Sequence, residues 1–300
     1  MLPGIACAGL LGLAAAAAPP GFGIFGGGYT TTYVAVTDKY TYGSDAVASG
    51  AALGTARYVL AAVGNATVGI FGGGYTTTYV AVTDKYTYGS DAVASGTALG
   101  TARYYLAAAG NATVGIFGGG SAGSNSAVTD KYTYGSDAVA SGAALGTARY
   151  VLAAVGNATV GIFGGGYTTT YVAVTDKYTY GSDSRASGTA LGTARYGLAA
   201  AGNATIGIFG GGYTTTYVAV TDKYTYGSDA VASGTALGTA RRYLAAAGNA
   251  TIGVFGGGTT GSNSPVTDKY TYGSDAVASG TALGTARQEL AASSSSPGGF

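Results

Sequence analysis

The sequence contains no histidine and no tryptophan, a single cysteine, and only 13 acidic and 14 basic residues among 300. Without histidine, the most common general base and the most common transition-metal ligand are both missing. Cys7 alone permits neither an internal disulfide nor a cysteine-ligated metal site. The net charge of +1 provides no basic surface for a phosphate backbone, so nucleic-acid binding is not expected.

Proline is also scarce, with 5 residues, whereas glycine reaches 56 and tyrosine 26. The low proline content argues against a collagen-like or disordered chain. Hydrophobic residues make up 47% of the sequence, which is enough for a packed core. No run of ten residues shows a helical period without glycine, so the pattern predicts no helix.

The first twenty residues, "MLPGIACAGLLGLAAAAAPP", are small and apolar and admit two interpretations. They resemble the apolar part of a secretory signal peptide, with Ala-x-Ala cleavage sites near Ala16–Ala18, although the basic start is missing. They also fit a degenerate strand or a frayed end. The segment is too short and too rich in glycine for a transmembrane helix, and no membrane span is expected.

A repeat of 46 residues organises the rest of the chain. "TDKYTYGSD" and "GTAR" recur six times at this spacing, and so does the phenylalanine of "FGGG", at Phe25, Phe71, Phe117, Phe163, Phe209 and Phe255. Six units of 46 account for 276 of the 300 residues, so no second domain is expected within them. Repeats of 20–50 residues indicate a solenoid, a propeller or an array.

Each unit predicts four short strands, of the type "RYYLAAAG", "ATVGIFGGG", "AVTDKYTY" and "DAVASGTAL". The dipeptides "GN" and "GS" predict two-residue hairpin turns with glycine first. Four antiparallel strands at this period are typical of a propeller blade. The alanines of the first strand suit an innermost position, where blades converge and side chains must be small.

The segment "DKYTYGSDAVASGAALGTAR" at 38–57 resembles the kelch repeat. In that repeat a glycine pair ends the second strand, an acid–base–Tyr triplet opens the third, and a tryptophan and then an arginine follow. The corresponding residues here are Gly26–Gly28, Asp38-Lys39-Tyr40, Val47 in place of tryptophan, and Arg57. The resemblance implies an all-β fold, a six-bladed kelch-type β-propeller over residues 21–293. The repeat sequence is also similar to kelch-like repeats of bacterial surface proteins and tailed-phage virion proteins.

The resemblance also implies how the ring closes. The repeats begin at a second strand and end with "RQELAAS" at 287–293, a lone first strand. We expect "RQELAA" to complete the first blade by pairing around Gly23–Phe25, because closure removes exposed sheet edges. Residues 294–300 are expected to form a C-terminal tail.

The charges follow the repeat as well, since every unit carries two aspartates, one lysine and one arginine. These residues are either rings of carboxylates that bind cations or structural ion pairs and turn-capping aspartates, and the second interpretation is preferred. Three charges remain, on Arg185, Arg242 and Glu289. At the position of Arg185 the other units have valine, and we expect these valines to be partly buried between blades. We expect the Arg185 stem to pack while its guanidinium lies at solvent or an acid.

Two short motifs resemble functional signatures, but a structural interpretation is preferred for both. "GFGIFG" at 21–26 matches a dinucleotide-binding pattern, but no helix start follows it. "NAT", which begins at Asn65 and recurs in later units, reads as a glycosylation acceptor, but a turn role for the asparagine is preferred.

The loops after the glycines predict the ligand-binding face. Four units carry "YTTTYV", whereas units three and six carry "SAGSNS" (121–126) and "TTGSNS" (259–264), so the two halves of the ring are similar. Binding residues usually lie on loops held by a rigid scaffold. The candidate ligand-binding residues are Tyr29, Tyr33, Tyr75, Tyr79, Tyr167, Tyr171, Tyr213, Tyr217, Asn125 and Asn263. Alternatively, these tyrosines only cover loop backbone.

No enzyme, metal or cofactor is expected, because six near-identical units offer no asymmetric catalytic constellation. The leading hypothesis is a surface-displayed or virion-associated adhesin or decoration protein that recognises a glycan or a protein partner, outside the cell or on a virion. The alternative is an intracellular, cytoplasmic kelch-type scaffold for protein interactions.

Overall fold

A computed structural model describes residues 21–296. Within this range the chain forms 24 strands in six four-stranded antiparallel sheets and no helix. The six-bladed, all-β prediction is therefore confirmed. The expectations for residues 1–20, including Cys7, and for residues 297–300 lie outside the described residues.

The strands, numbered in chain order, take one of four positions in a blade. The innermost strands are β4 (Ala61–Gly64), β8 (Ala107–Gly110), β12 (Ala153–Gly156), β16 (Ala199–Gly202), β20 (Ala245–Gly248) and β24 (Ala291–Ser294). The second strands are β1 (Phe22–Gly26), β5 (Val68–Gly72), β9 (Val114–Gly118), β13 (Val160–Gly164), β17 (Ile206–Gly210) and β21 (Ile252–Gly256). The third strands are β2 (Thr37–Thr41), β6 (Thr83–Thr87), β10 (Thr129–Thr133), β14 (Thr175–Thr179), β18 (Thr221–Thr225) and β22 (Thr267–Thr271). The outer strands are β3 (Ala46–Gly50), β7 (Ala92–Gly96), β11 (Ala138–Ser141), β15 (Ser184–Gly188), β19 (Ala230–Gly234) and β23 (Ala276–Gly280).

The first blade contains both ends of the described chain, in the order β24-β1-β2-β3. The register places Ala291 opposite Gly26 and Ser294 opposite Gly23. The predicted closure by the C-terminal strand is thus confirmed. The strand itself begins at Ala291, after Arg287 and Gln288, and it continues one residue past the boundary expected at 293.

The innermost strands surround the axis, each in contact with the next, and their residues are mostly alanine and glycine. Larger side chains would not fit where six strands converge. The main core lies between neighbouring blades, in six similar clusters. Between blades one and two, for example, Ile24 and Phe71 are fully buried. Gly26 permits this contact, because a Cβ atom there would lie 2.8 Å from the Phe71 ring.

The valines in the middle of five outer strands pack against these clusters and are partly buried, as expected: Val47, Val93, Val139, Val231 and Val277. In the remaining unit Arg185 takes the place of valine, and its guanidinium contacts Asp176. The Arg185 Nε atom lies 3.5 Å from Oδ1 of Asp176, and the side chain is 29% exposed. This placement fits the expectation that its charge would find solvent or an acid.

A ring of buried ion pairs joins each connection between blades to the sheet that follows it. Arg57, fully buried, lies 2.5 Å from Asp84 and donates to the carbonyls of Phe71 and Gly73 at 2.8 and 2.9 Å. The equivalent pairs are Arg103–Asp130, Arg149–Asp176, Arg195–Asp222, Arg241–Asp268 and Arg287–Asp38. The preferred interpretation of these charges as structural ion pairs is confirmed.

The turns differ from the prediction of two-residue, glycine-first hairpins. In the "GS" turn, Thr41 pairs with Ala46, so four residues form the loop, and the left-handed position belongs to Asp45, with φ 55°. Aspartate tolerates this conformation, and its carboxylate accepts hydrogen bonds from Tyr40 and Lys269. A side chain that bonds across the turn therefore takes the place of glycine.

The "GN" turn is likewise built on a side chain. Asn65 Oδ1 accepts hydrogen bonds from the backbone of Thr67 and Val68 at 2.9 and 3.0 Å, and its Nδ2 donates to the carbonyl of Ala112 in the next blade. The preferred turn role of this asparagine is confirmed.

Candidate functional site

One face of the ring is formed by the "YTTTYV"-type loops and by the connections between blades. Tyr75, in such a loop, and Tyr58, in the connection before it, exchange backbone hydrogen bonds of 2.9 and 3.3 Å. Equivalent bridges recur in every unit. We call this surface the loop face. Its two kinds of loop share one side of the propeller because antiparallel strands alternate in direction.

The tyrosines divide into two sets with different environments. The twelve tyrosines of the "DKYTY" segments are buried among the blades. The other fourteen lie on the loop face, where neighbouring ring centroids are 5.3–6.3 Å apart. They are Tyr29, Tyr33, Tyr58, Tyr75, Tyr79, Tyr104, Tyr105, Tyr150, Tyr167, Tyr171, Tyr196, Tyr213, Tyr217 and Tyr243. The loop face thus carries one continuous aromatic network.

At the centre of this face, six residues form what we call the axial ring: Val59, Tyr105, Val151, Gly197, Tyr243 and Glu289. The N–H of each donates to the carbonyl of its equivalent in the preceding unit, at 2.7–3.0 Å, and the N–H of Val59 closes the circle on Glu289. All six have φ between 53° and 66°. Five are not glycine, so this left-handed backbone is strained, and the closed circle of hydrogen bonds holds it.

The side chains of the axial ring are not equivalent. The hydroxyl of Tyr105 donates to Glu289 Oε1 at 2.6 Å, and the rings of Tyr105 and Tyr243 are stacked. Burial raises the pKa of Glu289, although the Tyr105 hydrogen bond and the charge of Arg242 oppose the shift. Burial and then the charge of Glu289 raise the pKa of Tyr105, so its hydroxyl stays protonated at neutral pH.

Arg242 stands next to this ring, surrounded by aromatic side chains. Its guanidinium carbon lies 4.7 Å from the ring centroid of Tyr243 and 4.8 Å from that of Tyr213. Tyr196 and Tyr217 follow at 5.6 and 5.5 Å, and Nη1 donates to the Tyr196 hydroxyl at 2.5 Å. Although the six units are nearly identical, the exceptional residues Arg242, Glu289, Tyr105 and Tyr243 gather at one place. The absence of a catalytic constellation stays a prediction.

A cavity of about 490 Å³ opens beside Tyr243, and we call it the tyrosine cavity. Its lining consists of Tyr104, Tyr105, Tyr150, Val151, Tyr167, Tyr171, Tyr196 and Tyr243. No ionisable group other than tyrosine lines it. It offers aromatic faces and phenolic hydroxyls, which stack on a ligand and exchange hydrogen bonds with it.

The opposite face carries a cavity of about 430 Å³ bordered by Gly21 and Ser296, the first and last described residues. Among the described residues of its lining, Phe22 and Tyr88 are the aromatic ones. The tyrosine cavity therefore concentrates aromatic surface far more strongly.

The candidate residues have three different placements. Tyr167 and Tyr171 line the tyrosine cavity, and Tyr213 and Tyr217 contact Arg242. Tyr29, Tyr33, Tyr75 and Tyr79 belong to the aromatic network outside the cavity. Their role in ligand binding stays a prediction.

The two asparagine candidates brace the loops. Asn125 donates from Nδ2 to the Thr168 carbonyl at 3.1 Å, and Asn263 does the same to Thr30 at 2.8 Å. These contacts join each "GSNS" loop to the loop of the next blade, which is a structural role.

Six residues of the cavity wall were not among the candidates: Tyr104, Tyr105, Tyr150, Val151, Tyr196 and Tyr243. They follow the arginine of "GTAR" in the connections between blades. The signal that would have found them is the variation after this arginine, as in "ARYY" at 102–105 and "ARRY" at 240–243.

Among residues 21–296, no group of three metal-ligating side chains is close enough to hold an ion, and no helix is long and apolar enough to cross a membrane. Comparison with protein-family models and with curated proteins finds no match for this chain. What the structure establishes is the fold: the described chain is a six-bladed β-propeller built from tandem repeats.

Proposed function

We propose that this protein is a non-catalytic binding propeller, that the tyrosine cavity is its ligand site, and that the ligand is a saccharide. The observation that carries the proposal is a cavity of about 490 Å³ with seven tyrosines in its wall. Small-molecule sites typically enclose about 300–1,000 Å³. The cavity has the volume for one or two sugar units.

Tyrosine suits a sugar for two physical reasons. The ring covers the apolar C–H face of a pyranose, while the hydroxyl exchanges hydrogen bonds with the hydroxyls at its edge. The residue also loses little conformational freedom on binding, because it has only two side-chain torsions. Packing within the aromatic network, such as the 5.3 Å contact of Tyr171 and Tyr196, restricts these torsions before a ligand arrives.

We further propose that the repeat is of the kelch type. The elements of the resemblance have clear structural roles: Gly26 makes room for the next blade, and Asp38 binds the buried Arg287. These roles support the assignment, which no family comparison provides. Together with the resemblance of the repeat sequence to those of surface and virion proteins, these structural roles favour an adhesin or decoration protein displayed on a cell surface or virion.

The test compares two pairs of equivalent tyrosines that lie 138 residues apart. Tyr171→Ala/Tyr196→Ala opens the tyrosine cavity, whereas the control Tyr33→Ala/Tyr58→Ala changes the same blade positions in the other half. On a glycan array, followed by calorimetry with the best oligosaccharide, we expect the cavity variant to lose affinity at least about tenfold. The control should stay within about twofold.

Equal losses in both variants, or unchanged binding in the cavity variant, would contradict the proposal. If no saccharide binds and a pull-down instead captures a protein in a Tyr171-dependent way, the ligand is a protein. Export or virion association of the full chain supports the surface role. A soluble cytoplasmic partner supports the intracellular scaffold.

A further inference from the structure

Arg242 differs from every other arginine of the chain in its surroundings. Seven of the eight arginines lie within 4.0 Å of an aspartate: Arg57, Arg103, Arg149, Arg185, Arg195, Arg241 and Arg287. Arg242 has no carboxylate within this distance among residues 21–296. Its charge is therefore not compensated by an ion pair.

The guanidinium is nevertheless held in place. Four tyrosine rings surround it at 4.7–5.6 Å, an arrangement in which the electron-rich ring faces attract the cation. Its one hydrogen bond to a described residue runs from Nη1 to the Tyr196 hydroxyl, and Nε is buried without a partner. Aromatic contacts orient the group without neutralising it, and hydrogen-bond donors remain free.

Two of the rings that hold Arg242, those of Tyr196 and Tyr243, also line the tyrosine cavity. Arg242 is not part of the cavity wall, but it adjoins two wall residues and is partly exposed beside them. The same blade position carries Tyr58, Tyr104, Tyr150 and Tyr196 in four other units and Gln288 in the sixth. A blade does not need a cation there, so the stability of the blade does not account for Arg242.

Glu289 is the acidic residue whose pKa the charge of Arg242 lowers, but its carboxylate is hydrogen-bonded to Tyr105 rather than to Arg242. Glu289 Oε1 accepts from Tyr105, and the charge of Arg242 lowers its pKa without an ion pair between the two side chains. Because Arg242 is itself partly exposed on the loop face, an additional acceptor can reach it at the edge of the cavity.

We propose that Arg242 makes the tyrosine cavity selective for acidic saccharides, by binding a carboxylate or sulfate group of the sugar. This inference rests on the proposed saccharide function and adds the charge of the ligand. Arginine suits the task because its planar fork of donors matches two oxygens of such a group. Desolvation by the surrounding rings strengthens the attraction.

The experiment measures calorimetric affinity for trigalacturonic acid and for its neutral methyl ester, which share size and shape. A 6-O-sulfated trisaccharide as a third probe distinguishes sulfate from carboxylate. We expect the wild-type protein to prefer an acidic probe at least about tenfold over the ester. Arg242→Gln, which places the unit-six residue at this position, should abolish the preference and leave ester binding within about twofold.

Arg185→Gln is the control, since it removes the same charge from an outer strand and should keep the preference. Thermal melting confirms that both variants are folded. Equal affinity of the wild-type protein for the acidic probes and the ester, or a preference that survives in Arg242→Gln, overturns the inference and leaves the proposed function intact. The proposed function itself fails, and this inference with it, under two conditions together. The first is that neither the acidic probes nor the ester bind to the wild-type protein. The second is that Tyr171→Ala/Tyr196→Ala leaves binding on the glycan array unchanged.

Discussion

The blade framework, meaning the strands with their buried ion pairs, is nearly the same in all six units, whereas the inner part of the loop face, next to the axis, differs from unit to unit. In the framework, "DKYTY" and "GTAR" are identical in all six units. Immediately after "GTAR", five different pairs occur in six units: Tyr58-Val59, Tyr104-Tyr105, Tyr150-Val151, Tyr196-Gly197, Arg242-Tyr243 and Gln288-Glu289. A framework side chain must fit the same neighbour in every blade. The axial ring is instead held by backbone hydrogen bonds, which leave its side chains free to differ.

The same contrast separates the two halves of the loop face. Residues 138 positions apart occupy equivalent places in the two halves, and their loops are of the same type. Next to the axis the residues differ. The half with the tyrosine cavity has Tyr104, Tyr150 and Val151, whereas the other half has Arg242, Gln288 and Glu289. One half therefore presents neutral aromatic residues and the other presents charges. The expected two-fold similarity holds for the loops and does not extend to the side chains next to the axis.

The largest expected effect comes from breaking a framework contact. Arg195→Met leaves Asp222 buried without its cation, which lies at 2.5 Å, and leaves the carbonyls of Gly211 and Phe209 without their donors. Removing one partner of a buried pair typically costs about 3–5 kcal/mol. We expect a loss of this size in the free energy of unfolding, measured by urea denaturation.

The control is Lys223→Met, which removes a cation from the half-exposed pair Lys223–Asp275, whose atoms are 3.8 Å apart. Exposed pairs contribute about 0–1 kcal/mol. Similar losses in the two variants would show that the buried ring of ion pairs does not determine framework stability.

A smaller effect, with a defined pH dependence, is expected at the axial ring. The folded-state pKa of Glu289 lies above its ordinary value of 4.5, so the folded protein binds this proton more tightly than the unfolded chain does. The stability that follows is fully present below about pH 4.5 and is lost as the pH rises through the folded-state pKa. Glu289→Gln keeps an acceptor for Tyr105 and removes the titration.

We therefore expect the melting temperature of Glu289→Gln, relative to wild type, to be higher at pH 7 than at pH 4. Differential scanning calorimetry of both proteins across this range checks the sign, because the other carboxyl groups contribute equally to both. A difference that does not change with pH would show that Glu289 titrates normally in the folded state.

The smallest effect is expected at Arg185, an outer-strand position where the other five units have valine. Arg185→Val restores the residue of the other five units and removes a contact of 3.5 Å to Asp176, which already binds Arg149 at 2.6 Å. Because the Arg185 side chain is partly exposed, we expect the free energy of unfolding to change by less than about 0.5 kcal/mol. A loss above about 1 kcal/mol, measured by urea denaturation, would mean that Asp176 needs both arginines.

The number of blades, the strand order and the closing strand were predictable because each depends on a pattern that repeats along the chain. The turns were not, since glycine and aspartate both occur in "YGSD" and only the pairing of Thr41 with Ala46 shows that Asp45 takes the left-handed position. The Asn65 turn was partly predictable: the residue type indicated a turn, but its bond to Ala112 of the next blade depends on blade packing.

By itself, the sequence determined the repeat, the all-β blades and the face on which the "YTTTYV" loops lie, because hydrophobic pattern and period act locally. Only the tertiary structure decided that Tyr104, Tyr196 and Tyr243 share a cavity wall and that Arg242 lies among tyrosine rings. Apart from the adjacent Arg242 and Tyr243, these residues come from different connections and loops, and they meet because the ring closes around its axis. The physical reason is that a propeller brings one connection from every blade to the same centre, where a single exceptional residue acquires neighbours that no local pattern predicts.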